Sequence, residues 1–415
     1  MALADLQLLV DDLAQRLDAP VVLEDHEQRM VVYSSQSSPI DEVRRDSILR
    51  RETRTEIKQW FRRFGILHAT SPLRTPSYPA LAILGRVCAP VRFHGRLMGF
   101  LFVIDDEARL SAGQIEVVDG AQRRAGPLLY EEETAQRLSA SVLSHLLAPA
   151  AELREAAARL VLDEGLAEAG TPHAVVYLRP AEPPRTGLQE VISEALWELG
   201  RSRGQAGVLS TVRRDHGVLM VPVPAMDDDR PAQAVAAQAR SLLARHLEGD
   251  CPARVIAGIG DPQPHVTTVA ASYRQAMLAA RVAAAVPATG DQPRWRDLGA
   301  YRVLVQLPPG ETSESSLDPR MTALLTAGDA LAQTVETYLD LGGDVKRTAE
   351  RLHLHRASLY YRLDKAQRLT GADLSDGGDR LALHLGFKLA RLTGRYNPVE
   401  EIRKPAGNGS SGSSR

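Results

Sequence analysis

Cysteine is scarce in this chain of 415 residues. Its two cysteines, Cys88 and Cys251, lie far apart, and neither has another cysteine or a histidine cluster beside it. A disulfide framework or a structural zinc site needs regularly spaced ligands, so the pattern argues against both. Scarce and unpaired cysteines are typical of a reducing compartment, which predicts a cytoplasmic protein.

Long apolar runs and an excess of positive charge are also missing. No stretch approaches the roughly 18 apolar residues that a membrane span requires, and the N-terminus carries acids where a signal peptide has basic residues. The formal net charge is -2, which gives no global attraction to nucleic acid. We therefore expect no membrane partner, and any DNA-binding surface must come from a local excess of positive charge.

The length predicts two or three domains, and the hydrophobic pattern divides the chain accordingly. Leucines at helical spacing over 3–17 precede short strand patterns and a hairpin turn at His94-Gly95. The predicted parts are an α/β domain over 1–131, a helical connector over 132–168, a mixed α/β domain over 169–300, a linker over 301–319, a helical domain over 320–396 and a disordered tail over 397–415.

The helical domain carries the clearest pattern. Gly342-Gly343 is placed to end one helix, Asp344 to cap the next, and a further helix buries Leu359 and Leu363 one turn apart. Two helices joined by a short turn predict a helix-turn-helix. Residues 331–395 hold eleven Lys and Arg against eight Asp and Glu, so the local charge is positive in a chain that is slightly acidic overall.

The outer positions of the second helix are the candidate DNA contacts, because a recognition helix offers donors to base edges and cations to phosphates. Arg362 and Lys365 are expected to contact phosphates, and Tyr361 is expected at the edge of the core. His355 is expected as a helix cap or a DNA contact, and its spacing from His353 does not suit a metal site. The predicted DNA-binding residues are His355, Arg356, Ala357, Ser358, Tyr360, Tyr361, Arg362 and Lys365.

The segment "HRASLYYRL" (355–363), followed by "DRLAL" (379–383), resembles the C-terminal helix-turn-helix of the purine-catabolism and sugar-diacid regulator family, the PucR/CdaR type. The segments "IAGIGDP" (256–262), "VAASYRQAMLAARVA" (269–283) and "RDLGAYRVLV" (296–305) resemble the degenerate GGDEF-like domain of that family, and the first region resembles a GAF sensor domain less specifically. Together the resemblances cover about residues 1–395. They imply a multidomain α+β fold: an N-terminal GAF-like α/β sensor, a degenerate GGDEF-like α/β domain and an all-α helix-turn-helix. Two residues depart from the family motif, since Ala357 stands where a polar residue is usual and Tyr360 where Arg is common.

The resemblance implies a transcriptional regulator, more often an activator, that binds a double-stranded DNA operator as a homodimer or higher homo-oligomer. A small-molecule effector of unknown identity would bind the sensor region, and RNA polymerase is a further candidate partner. In the sensor region, Tyr33, Trp60, Phe64, Cys88, Phe93 and Phe102 could line a pocket, although most are expected in the core. Arg92, His94 and Arg96 are expected in solvent, and Cys88 is expected to be a buried, inert thiol.

The alternative function is a nucleotide-binding signalling protein or an enzyme that uses the GGDEF-like domain. Its hairpin "VRRDHGVLM" (212–220) offers one carboxylate, Asp215, whereas two divalent cations gripping a triphosphate need several acids. We therefore expect no catalytic residue, no metal site, no cofactor and no enzymatic activity.

Overall fold

The computed structural model describes residues 2–35, 43, 54–182, 187–201, 207–247, 253–307 and 318–398. Cys251, residues 308–317 of the expected linker, and residues 399–415 of the expected tail lie outside this part of the chain. The chain divides into two compact units, Met1–Ser141 and Val142–Arg415. No helix in the described ranges is both long and apolar enough to cross a membrane.

The first unit contains a five-stranded antiparallel sheet in the order β2-β1-β5-β4-β3. The expected hairpin is present, and its turn residues His94 and Gly95 both have positive φ, at 47° and 79°, as a tight two-residue turn requires. The elements are α1 (Ala2–Leu17), β1 (Val21–Asp25), β2 (Met30–Tyr33), α2 (Thr55–Arg62), β3 (Leu73–Thr75), β4 (Arg86–Phe93), β5 (Arg96–Ile104) and α3 (Ala112–Leu146).

The sheet is buried on both faces. The predicted leucine stripe of α1 is buried, and α3 comes so close to the sheet that a Cβ on Gly126 would lie 2.6 Å from the carbonyl oxygen of Arg92. Trp60 and Phe61 of α2 share a cluster with Cys88, Phe100 and Phe102 of the strands. These contacts give the α/β architecture expected for this region.

The second unit begins with a four-stranded antiparallel sheet in the order β7-β8-β6-β9. One face packs on α5 and α6, and α7 lies on β9 so closely that a Cβ on Gly258 would meet the Ala276 carbonyl oxygen at 2.1 Å. The elements are α4 (Ala151–Asp163), β6 (His173–Pro180), α5 (Leu188–Gly200), β7 (Leu209–Arg213), β8 (His216–Pro222), α6 (Arg230–His246), β9 (Val255–Ile259), α7 (Val269–Ala285) and α8 (Tyr301–Leu304).

A bundle of five helices completes the unit. Its core joins Leu331 and Val335, Leu359 and Leu363, and Phe387 in one apolar cluster. The helices are α9 (Pro319–Thr326), α10 (Asp329–Asp340), α11 (Val345–Arg351), α12 (Arg356–Thr370) and α13 (Gly377–Leu392). This is the all-α region that the sequence predicts.

Three local features bear on the expectations for particular segments. Helix α3 runs through residue 131 to Leu146, with Pro127 inside it, so the segment expected as a helical connector from residue 132 begins within one long helix. Residues 301–304, placed in the linker, form α8. The turn of the second hairpin falls on Arg214 and Asp215, since Arg213 pairs directly with His216.

Candidate nucleic-acid interface

Backbone geometry and one side chain fix the start of α11. Gly342 and Gly343 follow α10 with φ of 70° and 84°, and the Gly343 N–H donates to the Tyr338 carbonyl at 2.8 Å. Such positive φ favours glycine because it has no Cβ. The Asp344 carboxylate accepts a 3.0 Å hydrogen bond from the Arg347 N–H. Both predictions, the glycine stop and the Asp344 cap, are confirmed.

The turn between α11 and α12 is closed by a left-handed residue. The Leu354 N–H donates to the Ala349 carbonyl at 2.9 Å, and the His353 N–H donates to Glu350 at 3.3 Å, the pattern of a Schellman motif. His353 has a φ of 50°. Sequence analysis missed this role because the position usually holds glycine.

His355 caps α12. Its Nδ1 accepts a 3.3 Å hydrogen bond from the Ala357 N–H, so the ring satisfies one of the free amides at the helix start. His355 was expected either to cap the helix or to contact DNA, and this contact agrees with the first of these roles. A neutral ring in this arrangement carries its proton on Nε2, which stays available as a donor.

One face of α12 is in the core and the opposite face is in solvent. Leu359, Leu363 and Ala366 are 0%, 7% and 2% exposed. Tyr361 is 65% exposed, so the expectation that it lies at the core edge is wrong. The reason is the helical rotation of about 100° per residue, which places Tyr361, two residues after Leu359, about 200° around the helix from the buried Leu359. Ala357, Ser358, Tyr360 and Lys365 are also exposed.

Arg362 was expected to be free to contact phosphates, and its side chain is placed differently. It is half-buried, and its Nη1 donates to the hydroxyl of Thr334 on α10 at 3.2 Å. Thr334 is fully buried. The guanidinium therefore fastens α12 to α10. Sequence reasoning missed this contact because its partner is 28 residues away.

Exposed positive charge surrounds the turn. Lys346, Arg347 and Arg351 of α11, together with Arg356 and Lys365 of α12, are exposed and have no ion-pair partner among the described residues. Farther along α12, Arg368 pairs with Asp364 at 2.5 Å, which neutralises that end of the helix. These five cations outnumber the exposed acids Asp344, Glu350 and Asp364, so positive charge is in excess between residues 344 and 365, a segment that includes the start of α12, where a recognition helix contacts DNA.

The hairpin between β7 and β8 uses its one carboxylate internally. Asp215 Oδ1 lies 2.8 Å from His216 Nδ1, and His216 Nε2 lies 2.9 Å from the Tyr273 hydroxyl. Burial lowers the pKa of His216 and outweighs the opposing effect of Asp215, which favours a neutral ring. Within the described ranges, no three His, Cys, Asp or Glu side chains are grouped so that they could hold a metal ion.

The sensor-region candidates separate into core and surface. Trp60, Cys88 and Phe102 are buried, whereas Tyr33 and Phe64 are 39% and 37% exposed. Burial raises the pKa of the Cys88 thiol well above its usual value, as expected of an inert cysteine. Arg92 was expected in solvent, but its Nε donates to the Ala69 carbonyl at 3.0 Å, which ties β4 to a neighbouring loop.

Comparison with known proteins agrees with the two domains of the second unit. The PucR C-terminal helix-turn-helix domain matches residues 331–389, and the GGDEF-like domain matches residues 145–282.

The proline-responsive transcriptional activator PutR of Bacillus subtilis (strain 168) is 23% identical over 94% of this chain and 97% of its own. The purine catabolism regulatory protein of the same organism is 35% identical over 15% of this chain and 12% of its own. The cofactor-binding GAF domain of the nutrient sensor CodY from Clostridium difficile aligns with 29% of this chain and 81% of its own, at 12% identity and a TM-score of 0.22.

The helix-turn-helix and these sequence matches define the chain as a DNA-binding transcriptional regulator. It carries a PucR-type helix-turn-helix domain and a GGDEF-like domain, and it is homologous to the PucR-family transcriptional regulators.

Proposed function

We propose that this regulator reads its operator with the exposed face of α12 in the major groove. The observation that carries the proposal is the position of Ser358, Tyr361 and Lys365 on the exposed side of a helix whose other side is locked in the core. A recognition helix needs such a rigid base and a free outer face. The proposed DNA-contacting set is His355, Arg356, Ala357, Ser358, Tyr360, Tyr361, Arg362 and Lys365.

Within this set the side chains take different roles. The hydroxyls of Ser358 and Tyr361 suit base edges, and the methyl group of Ala357 suits the methyl group of thymine. Arg356 and Lys365 are both exposed and suit phosphates. Arg362 acts mainly as a positioning residue, because its hydrogen bond to Thr334 fixes how α12 stands on α10.

We also propose that a small-molecule effector binds the first unit and controls operator occupancy. The supporting observations are the buried aromatic cluster around Trp60 and the homology to a regulator named as proline-responsive. The protein would act in the cytoplasm as a homodimer, most simply as an activator that contacts RNA polymerase. A two-fold dimer would place its recognition helices about 34 Å apart, so operator half-sites would repeat about every helical turn of DNA.

The test is binding of the purified chain to a pool of its own genomic DNA fragments, with a salt titration. The Arg356→Ala/Lys365→Ala double variant should lose the enriched fragments and give a salt dependence shallower by about 0.9 per phosphate contact removed. Arg395→Ala is the matched control, because Arg395 is an exposed arginine of the same helical domain beyond the end of α13. Equal loss in the control and the double variant would contradict the assigned interface.

A further inference from the structure

A cleft lies where α4 meets two loops of the second unit. Its volume is about 400 Å³, and it is bounded by α4, by residues 168–171 before β6 and by residues 264–267 before α7. This volume is within the range of small-molecule sites in proteins. The cleft belongs neither to the helix-turn-helix nor to the β7–β8 hairpin.

The cleft combines an apolar floor with charged walls of both signs. Ala158 and Val266 are buried in its floor, and Leu162, at 38% exposure, adds an apolar side. Glu155 and Arg159 line it from the same face of α4, one helical turn apart, and Glu168 lines it from the opposing loop. In the part of the chain that the structure describes, these three side chains make no ion pair or hydrogen bond with each other or with any other group.

A ligand with a single charge would pair either with the carboxylates of the cleft or with the guanidinium of Arg159, and it would leave the other without a partner. A ligand that carries both an ammonium group and a carboxylate satisfies both, since the carboxylates attract the ammonium group and the planar guanidinium of Arg159 can bind a carboxylate through two parallel hydrogen bonds. The methyl group of Ala158 and the isopropyl group of Val266 in the floor, with the isobutyl group of Leu162 at the side, suit an aliphatic body between the two charges. We propose that this cleft binds a small aliphatic α-amino acid.

The position of the cleft gives the ligand a structural effect. Helix α4 buries three small or branched side chains, Ala157, Ala158 and Val161, and leaves Leu153 and Leu160 at 48% and 38% exposure. A helix with so little buried surface is held weakly. A ligand that contacts α4 and both loops at once therefore favours the docked position of α4.

The experiment titrates the full-length chain by calorimetry with the aliphatic L-amino acids, proline included, one at a time. At least one should bind saturably, and the amine and the carboxylic acid obtained by removing its carboxylate or its amino group should bind at least about tenfold more weakly, because each leaves one wall unpaired. Arg159→Gln should weaken binding by a similar factor. Ala169→Trp, which fills the cleft from its exposed rim, should abolish it.

Arg214→Gln and Glu190→Gln are matched controls on exposed side chains outside the cleft, and both should bind like the unsubstituted chain. Circular dichroism melts check that every variant folds. If Ala169→Trp does not fold, Glu168→Gln is used in its place. Absence of saturable binding for every amino acid overturns the proposal. So does binding that Arg159→Gln and the cleft-filling or Glu168 variant leave unchanged, since the ligand would then sit elsewhere. The operator proposal is independent of either result, because DNA binding is measured without amino acid.

Discussion

The residues of α12 separate DNA contact from helix positioning. Lys365 is exposed and has no ion-pair partner among the described residues, whereas Arg362 is half-buried and bonded to the buried Thr334 hydroxyl. Both are cations on one helix, and their charge alone gives them the same expected effect on DNA affinity. Their environments predict different effects on folding.

We expect Lys365→Ala to weaken operator binding and to make its salt dependence shallower by about 0.9, while the free energy of unfolding stays within about 0.5 kcal/mol of the original. Arg362→Ala should also weaken operator binding, and in addition it should lower the free energy of unfolding by about 0.5–1.5 kcal/mol, because a partly buried hydrogen bond is lost. Urea unfolding and fluorescence anisotropy on an operator fragment measure the two quantities. Equal stabilities for the two variants would show that the Thr334 contact contributes nothing to holding α12.

At the scale of elements, the connection between α11 and α12 determines how the second helix is presented. Its hydrogen bonds require a left-handed residue, and the chain places His353 there with a φ of 50°. A residue with a Cβ is less stable in this conformation than glycine by about 1 kcal/mol. The turn is therefore formed at a cost that the packing of Leu359 and Leu363 has to offset.

His353→Gly should stabilise the helix-turn-helix by about 1 kcal/mol, because glycine adopts positive φ without steric conflict. His353→Ala is the control, since it removes the imidazole but keeps the Cβ. Hydrogen exchange of the α11 and α12 amides measures the change locally, without contributions from the other parts of the chain. If the glycine and alanine variants protect these amides equally, backbone strain at residue 353 is not the cause.

At the scale of the whole molecule, the GGDEF-like domain raises the question of catalysis. The proteins to which the chain is homologous are transcriptional regulators, which favours a domain that serves regulation. The carboxylate of Asp215 is held by His216, and in turn the ring of His216 is held by Tyr273. A triphosphate with two divalent cations needs several free carboxylates at this position.

We expect no cyclic dinucleotide when the full-length chain is incubated with GTP and Mg²⁺ and the products are separated by chromatography. Asp215→Asn should leave this result unchanged while it weakens the contact with His216. Product that appears with the original chain and disappears with Asp215→Asn would establish catalysis by the hairpin and would overturn the regulatory interpretation of this domain.

The amino-acid sequence alone determined the features that depend on neighbouring residues. The glycine stop at Gly342 and Gly343, the Asp344 cap and the Leu359/Leu363 face follow from local backbone preference and helical period, and they are present as predicted. Local signals of this kind also gave the predicted division of the chain, whereas the terms sensor and GGDEF-like came from the family resemblance.

The tertiary structure decided what each side chain does within those elements. The exposure of Tyr361, the bond from Arg362 to Thr334 and the bond from Arg92 to the Ala69 carbonyl each differ from the prediction made from the sequence. The charged cleft beside α4 joins segments about a hundred residues apart along the chain. Such features depend on which distant surfaces meet when the core packs, and hydrophobic periodicity specifies that a face is buried without specifying its partner.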